Sequence, residues 1–434
     1  MEKEQKIPTI LLFPWLAQGH VTPYLVLAKK LAKRNFHIYF LSTPIILESI
    51  EKTLAKQPST PSIQLVEFHL PSLPRLPPKY HTTNGLPPHL NFTLIQNFQM
   101  ASSNFHNILD ILNPNFLIYD TFQPWAQAIA SSRNIPSIHL YTSSITTFSK
   151  FYHTLRDSVS AINCEMKEIA SKNIDEIDRK KILGGIALRA FEQSNDIVLV
   201  NSSKEIEGKY IDILSQLSKK EIISIGPLIR DIIDEDDNSE IIQWLDNKEE
   251  FLCVFVSFGS EYILSKKDIE EIAKGLELSL VSFIWTIKFP VGVTTTIEEV
   301  LPQGFLEKSE KGMVVKGWVP QARILKHPSI GGFLTHCGWN SLLESISFGV
   351  PIIAMPKHLD QPMNAKLIEE LGIGFEILKD ENGEIKREEV ARGIRQVVDN
   401  IGEIKKNASE MSEKIRMKGE KEMDSLAKKL KQIL

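Results

Sequence analysis

The first forty residues alternate between a short apolar run, an amphipathic segment and a second apolar run. Residues 9–13 are mostly apolar over the length of a buried strand, and apolar side chains then recur at helical spacing from Tyr24 to Leu31. Thr22 as N-cap and Pro23 as first helical residue predict where this helix begins, and residues 36–41 form the next predicted strand. Such a strand–helix–strand unit predicts a parallel sheet.

The same alternation continues along the chain, stops once and then restarts. Before the interruption, apolar runs of strand length lie at residues 63–68, 116–119, 135–141 and 197–200. After it, they lie at residues 251–257, 281–287, 313–316, 331–335 and 350–355. This pattern predicts two α/β domains, at residues 1–226 and 246–410, followed by an amphipathic helix at 411–434.

Two segments are predicted to lack regular structure. Residues 231–240 are acidic and hydrophilic and follow the breaker Gly226-Pro227, so we expect residues 227–245 to be an interdomain linker. A calcium loop is the alternative for this acidic run, but the run lacks the alternating ligand positions and central glycine of such a loop. Residues 71–88 contain six prolines and are predicted to form a long surface loop.

Composition and charge exclude several classes of protein. Of the 434 residues, 42% are hydrophobic and 24% are charged, as in a folded globular chain, and the net charge of −4 argues against a protein that coats nucleic acid or anionic lipid. No run of 18 apolar residues and no signal-peptide pattern occurs, so we expect neither a membrane span nor secretion. The three cysteines, Cys164, Cys253 and Cys337, lie too far apart for a disulfide framework or a zinc site, which favours a cytoplasmic location.

Candidate chemistry is concentrated at residues 331–341, GGFLTHCGWNS, where a buried strand is followed by a helix. Backbone N–H groups and the helix dipole at such a helix start favour an anion, for example a phosphate or diphosphate. A glycine-rich turn with Trp339 as a packing residue is the structural alternative. The glycine motifs of phosphate-binding P-loops and of nicotinamide or flavin enzymes are both absent, which argues against those classes.

The residues around this turn resemble the signature box of the plant UDP-dependent glycosyltransferases of secondary metabolism. The box covers residues 318–361, and the similarity extends to the N-terminal PWLAQGHVTP, the mid-chain IYDTFQPWA and the strand VSFGS. The resemblance implies an α/β protein of GT-B type, with two facing Rossmann-like domains and a cleft between them. It further implies that the N-terminal domain binds the acceptor, that the C-terminal domain binds the UDP-sugar, and that the helix at 411–434 packs on the N-terminal domain.

The resemblance assigns most of a donor site. Trp318 matches the indole that stacks on uracil, Gln321 the side chain beside the uridine, and Glu344 the carboxylate that receives the ribose hydroxyls, a suitable task for a group that only accepts hydrogen bonds. The remaining matches contact the diphosphate or the transferred sugar. The diphosphate contacts are His336, Asn340 and Ser341, with Gly259 and Ser260 as further backbone donors, and the sugar contacts are Trp339, Asp360 and Gln361.

The predicted base is a histidine that follows the first strand. His20 and Asp120 each come after a predicted strand, and the carboxyl ends of parallel strands border the crevice of such sheets. A carboxylate on one imidazole nitrogen fixes the tautomer and stabilises the imidazolium, and the family uses a His and an Asp that match these two residues. The acceptor pocket is expected to include residues for which core packing is an open alternative: Trp15, Phe122, Gln123, Tyr141, Thr142 and Ser143.

These residues imply an inverting, metal-independent transfer of a sugar to a hydroxyl group, in which backbone dipoles and His336 neutralise the departing diphosphate and no cofactor is needed beyond the UDP-sugar. Gln361 resembles the glucose-preferring form of the box, so UDP-glucose is the expected donor, with xylose and galactose donors left open. His358 stands where many relatives have a second tryptophan, and PKHLDQP resembles the branch that adds sugar to the sugar of a flavonoid, terpenoid or similar glycoside. Direct transfer to an aglycone and non-catalytic UDP-sugar binding are the alternatives. We expect a monomer.

Overall fold

Two parallel β-sheets with helices packed against them organise the computed structural model. It describes residues 7–55, 62–160, 176–232, 239–259, 262–289, 295–308, 311–399 and 401–433. The chain divides into two compact units, one of Met1–Leu228 with Gly419–Leu434 and the other of Ile229–Lys418. The strand–helix alternation of the sequence therefore produces two Rossmann-like units, as predicted.

The first unit contains seven described strands, all parallel, in the order β3-β2-β1-β4-β5-β6-β7. They are β1 (Thr9–Phe13), β2 (His37–Ser42), β3 (Ile63–Glu67), β4 (Phe116–Tyr119), β5 (Ser137–Tyr141), β6 (Ile197–Val200) and β7 (Glu221–Ser224). Strands β1, β4 and β6 have almost every side chain buried, because helices cover both faces of a parallel sheet.

Eight described helices belong to the first unit, apart from the C-terminal one. They are α1 (Gln18–Ala32), α2 (Pro44–Ala55), α3 (Asn91–Met100), α4 (Ser102–Leu112), α5 (Pro124–Ser131), α6 (Ile145–Ser160), α7 (Glu176–Gln193) and α8 (Lys204–Ser218). The proline-rich stretch 71–88 has no strand or α-helix, but it contains the 3₁₀ turn Pro78–Tyr80 and buries Leu76 and Leu86. It is therefore not wholly a surface loop, because its leucines fill the core beneath it.

The second unit has six described strands, also all parallel, in the order β10-β9-β8-β11-β12-β13. They are β8 (Cys253–Ser257), β9 (Ser282–Ile287), β10 (Gly312–Lys316), β11 (Ile330–Thr335), β12 (Ile352–Ala354) and β13 (Gly374–Glu376). The described helices are α9 (Ser239–Asp246), α10 (Lys266–Ser279), α11 (Ile297–Val300), α12 (Phe305–Lys308), α13 (Gln321–Leu325), α14 (Trp339–Ser347), α15 (Gln361–Glu370), α16 (Arg387–Asp399) and α17 (Ile401–Ile433).

Each sheet reverses its strand order at one point, and ligands of open α/β sheets bind beside that point at the carboxyl ends of the strands. In the first unit the reversal lies between β1 and β4, and in the second between β8 and β11. His20 and Asp120 follow β1 and β4, whereas Gly259 and His336 follow β8 and β11. The topology thus places the predicted catalytic and diphosphate residues at the two reversal points.

Several predicted boundaries are wrong for identifiable reasons. Helix α1 begins at Gln18, four residues before the predicted N-cap Thr22, and Pro23 lies inside it. The true N-cap, Ala17, makes no side-chain capping bond, so the sequence carries no start signal there. Strands β7 and β13 were not predicted, because each has only three or four residues and lies at a sheet edge.

The stretch 227–245, predicted to be a linker, is helical at its end. Residues 233–238, which include most of the acidic run, lie outside the described residues. Helix α9 follows, and its Ile241 and Leu245 are buried with Phe255 and Phe333 in a core of the second unit. The helix forms because these two apolar side chains, four residues apart, share one face.

The C-terminal helix α17 contributes to both units. Of residues 411–434, predicted to form a helix on the N-terminal domain, all but Leu434, which lies outside the described residues, belong to this helix, and Gly419–Leu434 is assigned to the first unit. Met423, Leu426 and Leu430 are buried in the core of that unit. Its Glu420 pairs with Lys30 of α1 and with Arg34, which follows that helix. No described helix has the apolar length that a lipid bilayer requires.

Candidate active site

In the first unit, His20 and Asp120 are in direct contact. His20 lies in the first turn of α1, and its Nδ1 is 3.0 Å from Oδ1 and 2.9 Å from Oδ2 of Asp120. The carboxylate is fully buried, whereas 17% of the imidazole side chain is exposed. The two residues are 100 positions apart, and they meet because β1 and β4 are neighbouring parallel strands.

Backbone donors hold the Asp120 carboxylate in place. The Trp15 N–H donates to Oδ2 at 3.1 Å, and the Thr121 N–H donates to Oδ1 at 2.6 Å. Each carboxylate oxygen therefore faces one backbone donor as well as the imidazole. Hydrogen bonds of this kind fix the plane of the carboxylate.

A third oxygen atom faces the same imidazole nitrogen. Thr142, which follows β5, has its Oγ1 2.8 Å from Nδ1 of His20. Since carboxylate oxygens can only accept hydrogen bonds, Nδ1 carries the proton, and the Thr142 hydroxyl oxygen shares it as a further acceptor. The basic lone pair of His20 is then on Nε2, the position that a general base requires.

A second histidine, which was not among the predicted site residues, contacts the residue that follows Asp120. His139 on β5 is fully buried, and its Nε2 is 3.2 Å from the Thr121 hydroxyl. Burial lowers the pKa of His139 to about 4, although the nearby Asp120 charge favours the protonated form. His139 is therefore neutral at physiological pH and does not compete with His20 for the carboxylate charge.

The predicted acceptor residues divide into two groups. Trp15 and Phe122 stack at 4.5 Å between ring centroids, and Phe122 also contacts the His20 ring at 5.8 Å. Tyr141 and Ser143 are partly exposed beside Thr142. Gln123 differs, because it is fully buried and its amide donates to the Phe13 carbonyl. The structure therefore places Gln123 in the core, where its hydrogen bond is internal.

In the second unit, the imidazole of His336 lies between two glycines. A methyl group on Gly259 would lie 2.7 Å from Cε1 and Nε2 of His336, and one on Gly338 would lie 2.6 Å from Nε2. Gly259 also has a φ of +77°, which favours glycine. Gly338 is the N-cap of α14, so the histidine lies at the start of that helix. Ser260, the other predicted backbone donor, lies outside the described residues.

His336 is neutral in the absence of a ligand. Burial lowers its pKa to about 4, and electrostatic interactions with His358 and Lys288 lower it further. The neutral ring can donate one N–H hydrogen bond to an anion that the helix start stabilises. That His336 helps to neutralise a departing diphosphate stays a prediction.

The predicted uridine residues form one connected group. The Gln321 amide donates to Glu344 Oε2 at 2.7 Å and to the Ser341 hydroxyl at 3.3 Å. Burial raises the pKa of Glu344, whereas the Gln321 hydrogen bond and the Arg230 charge lower it. Trp318 is 55% exposed, and the Arg230 guanidinium lies 5.5 Å from its ring centroid. An exposed indole of this kind can stack on a nucleobase.

Two of the three predicted sugar residues, Asp360 and Gln361, lie at the start of α15. The side-chain Oε1 of Gln361 accepts hydrogen bonds from the backbone N–H groups of Lys357 and His358 at 2.9 and 3.1 Å. This directs the side-chain amide nitrogen of Gln361 away from residues 357 and 358. Asp360 Oδ2 accepts a hydrogen bond from Asn364 Nδ2 at 3.1 Å, and the same nitrogen donates to the Cys337 carbonyl at 3.0 Å. Asn364 was not predicted, and it joins Asp360 to the turn that contains His336.

The last two residues of the predicted donor site differ in exposure. Trp339, predicted to hold the sugar, is 5% exposed at the first position of α14, so most of its indole packs in the core. Asn340 is partly exposed beside it. Among the described residues, no three His, Cys, Asp or Glu side chains converge as metal ligands would.

Comparisons with known proteins show the family of this chain. Residues 233–426 match the family described as UDP-glucoronosyl and UDP-glucosyl transferase, and residues 7–230 match the glycosyltransferase N-terminal domain. A β-D-glucosyl crocetin β-1,6-glucosyltransferase from Gardenia jasminoides is 44% identical over 98% of both chains. The chain belongs to the plant UDP-glycosyltransferases. The resemblance found in its signature box is thereby confirmed.

Two further comparisons describe the range of this glycosyltransferase family. A flavanone 7-O-glucoside 2''-O-β-L-rhamnosyltransferase from Citrus maxima is 44% identical, covering all of this chain and 98% of the relative. The structure of Phytolacca americana UGT2 complexed with UDP-2-fluoroglucose and pterostilbene is 26% identical, has a TM-score of 0.80 and covers 98% of this chain and 100% of its own. The GT-B fold predicted for the glycosyltransferase is thus confirmed.

Proposed function

We propose that the protein transfers glucose from UDP-glucose to a hydroxyl of a sugar on a small-molecule glycoside, with inversion at the anomeric carbon. The observation that carries the proposal is the His20 imidazole, whose Nδ1 is enclosed by Asp120 and Thr142 oxygens. This arrangement leaves Nε2 as a base for an acceptor hydroxyl. A module that only binds UDP-sugars has no need of such a pair.

The proposed mechanism is a single displacement. Nε2 of His20 takes the proton of the acceptor hydroxyl as its oxygen attacks the anomeric carbon, and the bond from that carbon to UDP breaks. Asp120 stabilises the imidazolium that forms. UDP leaves with its negative charge stabilised by the start of α14 and by an N–H of His336. An α-linked donor then gives a β-linked product.

The donor proposal rests on Asp360 and Gln361, which lie together at the start of α15. The Gln361 amide nitrogen can donate to sugar hydroxyls, and the Asp360 carboxylate can accept from them. Glucose has the full set of ring hydroxyls for such a pair. The two relatives at 44% identity are named for different transferred sugars, glucose and rhamnose, so the donor has to be tested directly.

The acceptor proposal rests on the acceptors for which the relatives are named and on the segment around His358. Both the Gardenia jasminoides and the Citrus maxima relatives are named for a glucoside acceptor, although their aglycones differ. His358 is exposed, and its ring lies 5.4 Å from that of Tyr262. Direct glucosylation of an aglycone is the alternative function, because the same base and donor residues would serve it.

The test combines a substrate screen with a His20 variant. UDP-glucose, UDP-xylose, UDP-galactose and UDP-rhamnose are offered with paired aglycones and glucosides, and products are identified by mass spectrometry. We expect a hexose added to glucosides with UDP-glucose, with a β-linkage by NMR. His20→Ala should lower the rate by at least about 10²-fold, the usual scale of general-base catalysis. Products from aglycones only would favour the alternative, and unchanged turnover by His20→Ala would contradict the mechanism.

We further propose that the reaction needs no metal and that the enzyme acts as a cytoplasmic monomer. Cys253 and Cys337 are free and buried, which suits a reducing compartment. Activity should persist after dialysis against EDTA, and light scattering should give the mass of one chain. Loss of activity that added Mg²⁺ restores would contradict metal independence.

A further inference from the structure

Helix α8 carries a buried carboxylate at a point where its backbone is distorted. Glu207 has φ −123° and ψ 19°, outside the helical range, although helical residues precede and follow it. The side chain is fully buried in the first unit. A buried ionisable side chain needs hydrogen-bond partners, because burying a polar group without them is unfavourable.

Three hydrogen bonds to the Glu207 side chain come from one short turn. Oε1 of Glu207 accepts hydrogen bonds from the Ser144 hydroxyl at 2.7 Å and from both the backbone N–H and the hydroxyl of Thr146 at 2.8 Å. Thr146 is the second residue of α6, so its N–H has no acceptor within its own helix. Burial raises the pKa of Glu207, whereas the hydrogen bonds from Ser202, Ser144 and Thr146 lower it.

The same turn carries Thr142 at its other end. Strand β5 ends at Tyr141 and α6 begins at Ile145, so only three residues connect them. Thr142 contacts Nδ1 of His20, and Ser144 contacts Glu207. The turn is therefore fixed at one end by the carboxylate and at the other end by the imidazole.

The geometry points to Glu207 as a positioning residue for catalysis: by holding the turn at residues 142–146, it keeps Thr142 against His20 and so fixes the orientation of the imidazole beside Asp120. This inference rests on the proposed function, in which His20 is the base. Glu207 itself touches neither His20 nor Asp120 by any hydrogen bond among the described residues. A purely structural role would stabilise the fold without any dependence on Thr142.

A double-mutant cycle separates the two roles. Glu207→Ala, Thr142→Val and the double variant are compared with the wild type for kcat and for the KM of UDP-glucose. We expect each single variant to lower kcat by about 10- to 100-fold, since small misplacements of catalytic groups have effects of that size. In the Thr142→Val background, Glu207→Ala should lower kcat by no more than about twofold, because the effects of residues that act through one hydrogen-bonded turn are not additive.

Conservative variants and controls complete the design. Glu207→Gln keeps an acceptor oxygen for Ser144 and Thr146 and should retain kcat within about threefold of the wild type. Glu51→Ala removes an exposed glutamate of the same unit and should have no effect. Should Glu207→Ala fail to fold, Ser144→Ala replaces it in the cycle, because it removes one of the three donors and keeps the carboxylate.

The outcomes distinguish this inference from the proposed function. Additive losses in the cycle, unchanged kcat in Glu207→Ala, or equal losses in Glu207→Gln and Glu207→Ala would each overturn the positioning role. A His20→Ala variant as active as the wild type would instead overturn the proposed mechanism. Loss of catalysis in His20→Ala together with a non-additive cycle supports both.

Discussion

Asp120→Asn is the substitution whose effect the structure determines most closely. Oδ1 accepts the Thr121 N–H and Oδ2 accepts the Trp15 N–H, while both oxygens face Nδ1 of His20. Either orientation of an asparagine amide therefore turns its NH₂ group toward a backbone N–H. That NH₂ group also faces the imidazole, where it favours a proton on Nε2 and so removes the base.

The size of the effect follows from the charge that is lost. The Asp120 carboxylate oxygens lie 2.9–3.0 Å from Nδ1 of His20, so the charge centres of the pair are about 4 Å apart. Two unit charges at that distance attract each other by about 4 kcal/mol at an effective dielectric constant of 20. Losing that stabilisation of the imidazolium corresponds to about 10³-fold in rate. The repulsion between the two donors adds a loss of about 1–3 kcal/mol in the free energy of unfolding.

The assay is the initial rate of UDP release with UDP-glucose and a glucoside acceptor at saturating donor. Asp110→Asn is the matched control, because Asp110 is an exposed carboxylate of the same unit that pairs with Arg133. We expect Asp120→Asn to lose about 10³-fold in kcat and Asp110→Asn to change by less than about twofold. A loss of less than tenfold in Asp120→Asn would refute the view that the carboxylate stabilises an imidazolium.

Two further predictions concern other parts of the chain. Gly338→Ala should weaken UDP binding by at least about tenfold in calorimetry, because its methyl group would displace His336. Gly402→Ala is the control, because the space around that position is open, and this variant should bind UDP as the wild type does. Glu420→Gln should lower the melting temperature modestly at pH 7. Lys30 and Arg34 lower the pKa of Glu420 to about 2. The ionised carboxylate therefore stabilises the fold above pH 4.5, and this stabilisation is lost as the pH falls toward 2. A difference between Glu420→Gln and the wild type that grows on acidification would contradict this sign.

Positions of residues relative to strand ends could be predicted from the sequence. His20 and Asp120 each follow an apolar run, and the rule that binding residues gather at the carboxyl ends of strands is enough to predict that the two lie together. The same reasoning places His336 at a helix start. Such residues are predictable because the strand that positions each one is close to it in sequence.

Interactions between distant segments could not be predicted. Glu207 and Asn364 act through bonds to residues 61 and 27 positions away, and nothing near them in sequence marks those partners. The neutral state of His336 depends on burial, which only the folded chain defines. Helix α1 begins without a capping side chain, so its start carries no local signal.

The last residues of the chain complete the core of the first unit, and this has a consequence for biosynthesis. The ribosome has made residues 1–228 long before Met423, Leu426 and Leu430 exist, because nearly 200 residues lie between them. At about 5–20 residues per second, this interval is about 10–40 s. Throughout it, the nascent first unit exposes the apolar surface that the C-terminal helix later covers, so its core is completed only after this helix has been made.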